Sequence, residues 1–270
     1  MSMVRCVVIG AAGRMGDCII NAIHHTEGVK LAGATEIKGH KRVGTDAGEF
    51  SSIGKTGISI VDNLDPLSSG CDVLIDFTAP ESSMNSLEWA ASNKKAAVIG
   101  TTGFSSRHTE RISTLTQDIP CVSAPNMSVG INLMLNLISQ VATTLKDDYD
   151  VEIIESHHRL KKDAPSGTAV KIAEVLAESL KRNLDQVAVH QRKGLIGERS
   201  REEIGIQVIR AGDIVGEHTV LFAGAGERLE ITHRAHNRDT FARGAVRAAQ
   251  WVAAQKPGLY TMQDVLGLSQ

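Results

Sequence analysis

Residues 4–16 read VRCVVIGAAGRMG: a short, mostly β-branched apolar run, then a turn with glycine at positions 10, 13 and 16. The run from Val4 to Ile9 shows no polar–apolar alternation, the pattern of a strand covered on both faces of a parallel sheet. Downstream, Met15, Ile19, Ile20 and Ile23 fall on one face of a helix, and a second apolar run, Val29 to Thr35, stops at Glu36. Strand, glycine turn, helix, strand and an acidic residue twenty positions past the last glycine form the fingerprint of a dinucleotide-binding unit, here in GxxGxxG spacing. Gly10 permits the tight turn, Gly13 lets backbone amides approach a pyrophosphate, and Gly16 allows close helix–strand packing. The helix N-terminus offers unpaired N–H groups and partial positive charge to the phosphates. Glu36 is placed for a ribose hydroxyl.

The alternation continues. Strands are expected at residues 71–77, 96–99 and 121–124, with helices at 81–92 and about 106–117. Short loops follow the strands, so one edge of a parallel sheet collects residues 10–16, Glu36, Phe77 and Thr78, residues 100–103 and residues 124–127. Ligands of open α/β sheets bind in the crevice beyond the carboxyl ends of the strands. Residues 37–60, rich in Gly, Lys and Ser, read as an irregular excursion. Gly54-Lys55-Thr56 is not a phosphate loop, because the upstream glycine that GxxxxGK[ST] needs falls on Glu49.

After Ser128 the pattern changes. A long helix is expected over residues 129–145, then an alternating strand at 150–155 and a helix at 168–182 with an apolar stripe of Ala169, Ile172, Ala173, Leu176 and Leu180. Residues 187–235 hold four strand candidates with no helix between them, the mark of a mainly antiparallel, mixed sheet. A final helix at 240–253 is expected to return to the first domain. The fold class is therefore α/β: an N-terminal Rossmann-type parallel-sheet dinucleotide-binding domain, residues 1–128 completed by 239–270, plus an α+β mixed-sheet domain, residues 129–238.

Between the alternating strand and the next helix lies ESHHRLKKDAPSGTA, residues 155–169. Basic runs are commonly solvated faces, and that reading is kept for Arg159 and Lys162. His157, His158 and Lys161, however, are groups whose pKa values can be tuned toward neutrality. A hydride added to a conjugated imine or alkene leaves negative charge, and His157 or Lys161 could supply the neutralising proton. His158, Lys161 and the amides of Gly167 and Thr168 could hold a carboxylate at the helix N-terminus. Ser166 or Thr168 is also a natural helix N-cap. Asp163 is read as a brace of the turn. His190, His218, His233 and His236 show no metal-ligand spacing and are given no site.

Composition narrows the classes. A net charge of -2 argues against a general nucleic-acid binder, and two Trp, two Tyr and five Phe are too few for base-stacking platforms. The four cysteines are dispersed, with no CxxC pair, which points to no disulfide framework, no metal site and a reducing, cytoplasmic setting. No apolar run approaches a membrane span, and the first residues are a strand, not a signal peptide.

GAAGRMG, DFTAPE, GTTGF, APNMSVG, ESHHRLKKDAPSGTA, RAGDIVGEHTV and GERLEITHRA together closely resemble the dihydrodipicolinate (4-hydroxy-tetrahydrodipicolinate) reductase family of lysine and diaminopimelate biosynthesis. The resemblance implies NADH- or NADPH-dependent reduction of a cyclic, unsaturated dicarboxylate to tetrahydrodipicolinate by a cytoplasmic homotetramer, whose second domain binds substrate and oligomerises. It implies His157 as proton donor and acceptor and Lys161 as a second proton donor. His158, Lys161, Gly167 and Thr168 would be substrate ligands, with Ser166 beside them. The cofactor set would be Gly10, Ala11, Ala12, Gly13, Arg14, Met15, Glu36, Gly100, Thr101, Thr102, Ala124, Pro125, Asn126 and Met127.

One departure stands out. Where many similar members carry an arginine directly after the acidic residue, to meet a 2′-phosphate, this chain has Ile37, with Lys38 next. Glu36 favours a ribose diol, so NADH is at least as well suited as NADPH. Two other readings stand beside the reductase: another two-domain dehydrogenase, such as a semialdehyde dehydrogenase, which needs a nucleophilic cysteine in a strand-to-helix turn, and a non-catalytic dinucleotide sensor, which needs no His157, His158 and Lys161.

Overall fold

A computed structural model describes residues 3–51 and 53–268. In chain order the elements begin β1 (Val4–Ile9), α1 (Arg14–His24), β2 (Val29–Thr35), α2 (Ala47–Phe50) and β3 (Ile60–Val61). They continue β4 (Val73–Asp76), α3 (Pro80–Ser92), β5 (Ala96–Ile99), α4 (Ser106–Leu115) and β6 (Pro120–Ser123). Then come α5 (Val129–Leu145), β7 (Asp150–His157), α6 (Gly167–Ser179), α7 (Leu184–Val187), β8 (Ala188–Val189), β9 (Ile204–Arg210), β10 (Gly216–Gly224) and β11 (Glu227–Ala235). The chain ends with α8 (Asp239–Val252), β12 (Gly258–Tyr260) and α9 (Met262–Leu266). Two compact units result, one of residues 1–129 and 238–270, the other of 130–237.

The first unit is a parallel sheet in the order β12-β6-β5-β4-β1-β2-β3. Its central strands are buried on both faces, which is why their sequences are continuous apolar runs. One face packs on α1 and α8 through Ile19, Ile20, Ala245 and Ala249, and the other on α3 and α4 through Leu87 and Ile112. The returning helix α8 is seated closely: a Cβ on Gly244 would stand 1.7 Å from the Met127 carbonyl oxygen.

Several expected boundaries move. The third apolar strand is Val73–Asp76, shorter than residues 71–77. Cys71 closes a preceding 3-10 turn, and the Phe77 ring lies where a Cβ on Gly100 would be, 2.1 Å away. Residues 37–60 are not wholly irregular. Asp46 caps α2 through the amides of Gly48 and Glu49 and also accepts from the Thr56 and Gly57 amides. The edge strand β12 and helix α9 were not expected at all; three residues, Gly258–Tyr260, are too few to carry a strand period.

The second unit is a mixed sheet in the order β11-β10-β7-β9-β8. β7 pairs antiparallel with β10 but parallel with β9, so parallel pairing has a larger share than expected. β7 buries alternate residues, Val151, Ile153, Glu155 and His157. The same face of β10 buries Val220 and Phe222, and these pack with Ile131, Met134 and Ile138 of α5 and Ile172 and Leu176 of α6. α6 starts at Gly167 and ends at Ser179, short of residue 182, where Lys181 takes a left-handed φ of 56°.

Because the Gly244 site has no room for a methyl group, Gly244→Ala is expected to cost about 2–3 kcal/mol by overpacking. Urea unfolding of the first unit measures it; an unshifted midpoint would show that α8 can slide to accommodate the methyl.

Candidate active site

The glycine turn in the first unit has the geometry its sequence requires. Gly10 has φ +68°, and a Cβ there would lie 2.6 Å from Thr78 Cγ2. A Cβ on Gly16 would meet the Gly10 carbonyl at 2.3 Å, so the helix can approach the strand only because position 16 is bare. The N-cap of α1 is Gly13 and provides no side-chain cap, which leaves the first-turn N–H groups for an anion. At the end of β2, Glu36 accepts from the amides of Ala12 (3.0 Å) and Ile37 (3.0 Å), so its carboxylate is fixed beside the turn. A cleft of about 420 Å³ opens there, lined by Gly10, Thr35, Glu36, Ile37, Thr78 and Trp89 among others. This donor set fits a dinucleotide: bare amides for phosphates, a positioned carboxylate for a diol.

The other expected cofactor residues divide by burial. Ala12, Gly13, Arg14, Met15, Gly100, Thr102, Pro125 and Asn126 are at least partly accessible, whereas Ala11, Thr101, Ala124 and Met127 are buried. Thr101 Oγ1 is 2.7 Å from Ser83 Oγ, and Ser83 in turn donates to Asp76 Oδ1 at 3.0 Å. Little of these four residues is accessible to a cofactor.

In the second unit the chemistry gathers at the carboxyl end of β7, and strand register brings it together. Pairing sets His157 beside Arg210 of β9 and Glu155 beside His218 of β10. Glu155 is fully buried. Its carboxylate accepts from Arg210 Nη1 and Nη2 (2.9 Å each) and from the Ser166 amide (2.9 Å), and lies 2.5 Å from His157 Nδ1. Arg210 also donates to the Asp163 carbonyl at 2.7 Å, tying the turn after β7 to β9. The rings of His157 and His218 meet edge-on with centroids 5.3 Å apart.

The basic stretch separates as the residue types suggest. Arg159 and Lys162 are exposed. Lys161 pairs with Asp163 at 2.9 Å, so Asp163 braces the amine as well as the turn. His158 Nδ1 is buried and has no hydrogen-bond partner among the described residues. Ser166 is buried and caps α6: its Oγ accepts from the Ala169 amide and lies 3.2 Å from His218 Nε2. Gly167 is exposed at the first turn, with Thr168 partly so. Three residues of this cluster escaped the sequence: Glu155, Arg210 and His218. The first looked like one position of an alternating strand, and the others lie on strands whose register no local pattern reveals.

Burial, then the neighbouring His157, hold the His218 imidazole down to about 3. Burial pushes the Glu155 carboxyl up, but hydrogen bonds from His157, Arg210 and the Ser166 amide more than offset it and bring it to about 2. Both shifts act with one sign. The unfolded chain protonates His218 near its ordinary 6.5 and the fold resists until about 3, so stability drops as pH falls through that interval. The Glu155 contribution, complete above 4.5, is lost between there and about 2. Thermal midpoints of the second unit should thus fall on acidification from about pH 6.5, and His218→Asn should flatten the upper part of that profile. An unchanged slope would contradict a neutral, buried His218.

Comparison with known proteins agrees in both halves. The model of the dihydrodipicolinate reductase N-terminus matches residues 4–127, and that of its C-terminus residues 130–266. A 4-hydroxy-tetrahydrodipicolinate reductase of Syntrophus aciditrophicus is 58% identical, covering 98% of this chain and 99% of its own length. One of Geotalea uraniireducens is 57% identical, covering 98% and 100%. Among solved structures, the dipicolinate-bound dihydrodipicolinate reductase of Paenisporosarcina sp. TG-14 aligns with a TM-score of 0.77 at 26% identity over 97% of this chain and 98% of that one. An amine dehydrogenase of Mycobacterium smegmatis, 15% identical with a TM-score of 0.61 over 97% of this chain and 95% of its own, shares the fold. With both halves matched and the relatives similar from end to end, the chain belongs to the dihydrodipicolinate reductase family.

Proposed function

We propose that this protein reduces 4-hydroxy-tetrahydrodipicolinate to tetrahydrodipicolinate, in the diaminopimelate route to lysine, with a nicotinamide dinucleotide as reductant. The observation that carries the proposal is the cluster at the end of β7, where His157, His158 and Lys161 stand with the N-terminus of α6. The nicotinamide supplies a hydride. The chain's own residues do the rest. His157 donates the proton that neutralises the charge left on the substrate, with Lys161 as a second donor. His158, Lys161 and the amides of Gly167 and Thr168 hold the carboxylates, and Ser166 positions that helix end. The unsatisfied, buried Nδ1 of His158 supports a ligand there, since a buried polar atom without a partner costs about 1–3 kcal/mol. Loss of the 4-hydroxyl as water, with gain of one hydride and one proton, balances the conversion.

The residues for the dinucleotide are the backbone of positions 10–15, Glu36, and the loops at 100–102 and 124–127. We favour NADH over NADPH. Glu36 is fixed by two amides, Ile37 is exposed and uncharged, and a 2′-phosphate there would face a carboxylate without an arginine fork to balance it. A homotetramer is supported by the second face of the mixed sheet, where Ile154, Ile209 and Leu221 lie partly or fully exposed around the Thr219–Thr232 hydroxyl pair. A cytoplasmic location is consistent with the free thiols; no helix among the described residues is long and apolar enough to cross a membrane. A cysteine-dependent dehydrogenase finds no nucleophile: burial pushes Cys6, Cys71 and Cys121 up to about 12 and raises Cys18 as well.

With enzymatically generated substrate, oxidation of NADH or NADPH followed at 340 nm tests the reading directly, and no oxidation of either would defeat it. His157→Gln should lower kcat by about 100-fold or more while leaving the cofactor Kd in place; full turnover would remove His157 from the acid role. Lys161→Ala should both lower kcat and raise KM. For the cofactor, kcat/KM should be higher with NADH, and Ile37→Arg should move the ratio toward NADPH by about tenfold; a wild-type preference for NADPH would reject the role given to Glu36.

A further inference from the structure

His157 is held by more than its place on the strand. Its Nδ1 lies 2.5 Å from Glu155 Oε2, while the opposite nitrogen, Nε2, faces Gly216, where a Cβ would stand only 3.1 Å away. Glu155 is fully buried and receives donors on both oxygens: the Arg210 guanidinium as a fork and the Ser166 amide at the start of α6. A carboxylate so fully donated to is an acceptor only. The hydrogen between it and the imidazole therefore belongs to the ring, on Nδ1. That leaves Nε2 as the nitrogen that can gain and lose a proton, in the same way that second-sphere carboxylates fix the tautomer of functional histidines elsewhere.

We propose that Glu155, anchored by Arg210, is a positioning residue for the reduction: it fixes His157 as the Nδ1–H tautomer, so that Nε2 is the atom that passes its proton to the substrate. The step balances within the ring. The imidazolium carries a hydrogen on each nitrogen, the Nε2–H bond breaks as the substrate's new bond to hydrogen forms, and the product is neutral imidazole with Nδ1–H still directed at Glu155. Glu155 itself takes no proton. Arg210 plays two parts, neutralising the buried carboxylate and, through the Asp163 carbonyl at 2.7 Å, securing the turn that carries Lys161. The other groups that face His157 cannot replace this arrangement. His218 of β10 is engaged by Ser166 Oγ at 3.2 Å and meets the ring edge-on, and Lys161 is paired with Asp163. His233 of β11 stands across from His218 in the register.

This inference rests on the reading of His157 as the proton donor, and two kinds of measurement separate them. Two-bond nitrogen–proton NMR correlations on protein labelled with 15N-histidine, assigned by comparison with His157→Gln, report the tautomer without any turnover. The expected result is Nδ1–H in the neutral wild-type ring and a switch to Nε2–H in Glu155→Gln, whose amide can donate. The same variant should lose about 100-fold or more in kcat with a displaced pH profile, while the Kd for NADH is unchanged. Arg210→Lys, which keeps the charge and loses the fork, should retain the tautomer and lose a smaller factor, about tenfold. A wild-type neutral ring protonated on Nε2 overturns the proposal, and this outcome needs no variant to fold. Wild-type kcat and pH profile in Glu155→Gln overturns it as well, as would a loss of thermal stability with the tautomer unmoved, which marks a purely structural residue. If His157→Gln turns over normally while Nδ1–H is seen, it is the donor assignment that has failed, and the catalytic consequence drawn here falls with it.

Discussion

A carboxylate with no solvent exposure is tolerable only if its lost hydration is replaced by fixed donors. Glu155 meets that condition through one guanidinium fork, one imidazole and one helix-start amide, and each donor comes from a different part of the second unit. Arg210 ends β9, His157 ends β7, and Ser166 opens α6. Satisfying one buried charge therefore fixes two strand ends, a helix N-terminus and the turn between them. Removing any single donor would leave the charge short of compensation, which is why the cluster acts as one object and why its members sit at the ends of elements rather than in their middles.

The first unit is governed by a different constraint, close backbone approach. Gly10, Gly16, Gly100 and Gly244 each lie where an added methyl would strike a neighbouring atom at under 3 Å. The first two shape the turn that leaves α1 with bare amides. Gly100 lets the Phe77 ring fold beneath the loop after β5, and Gly244 lets α8 close over the loop after β6. In the first unit the absence of side chains permits the close approach, whereas in the second it is the pairing of side chains that makes the cluster. The helix starts differ in the same sense: Gly13 gives α1 no side-chain cap, whereas at the start of α6 the Ser166 hydroxyl accepts from the Ala169 amide.

Much of this was legible in the chain. The glycine turn, the strand-helix alternation and the position of Glu36 follow from local pattern, because a doubly covered strand must be apolar throughout and a tight turn must be bare. The stretch 155–169 was legible as a concentration of titratable groups before a capped helix, and Arg159 and Lys162 lie exposed as their type suggests. Less was legible where pairing decides. The strand β12 is three residues long and exists because β6 offers it an edge. The mixed sheet was read as mainly antiparallel, since nothing local distinguishes a β9 that runs parallel to β7 from one that runs against it.

The sequence by itself determined a dinucleotide-binding unit, a basic stretch rich in titratable groups, the family, and the absence of an arginine after Glu36, because each rests on short local stretches of the chain. Only the tertiary structure decided that Arg210 and His218, more than fifty positions beyond Glu155, join the cluster around it, and that the hydroxyl of Ser166 is already engaged. Those facts depend on strand register and on what lies across a sheet. A shift of one residue between neighbouring strands turns every side chain to the other face, and no spacing along the chain records which register is taken.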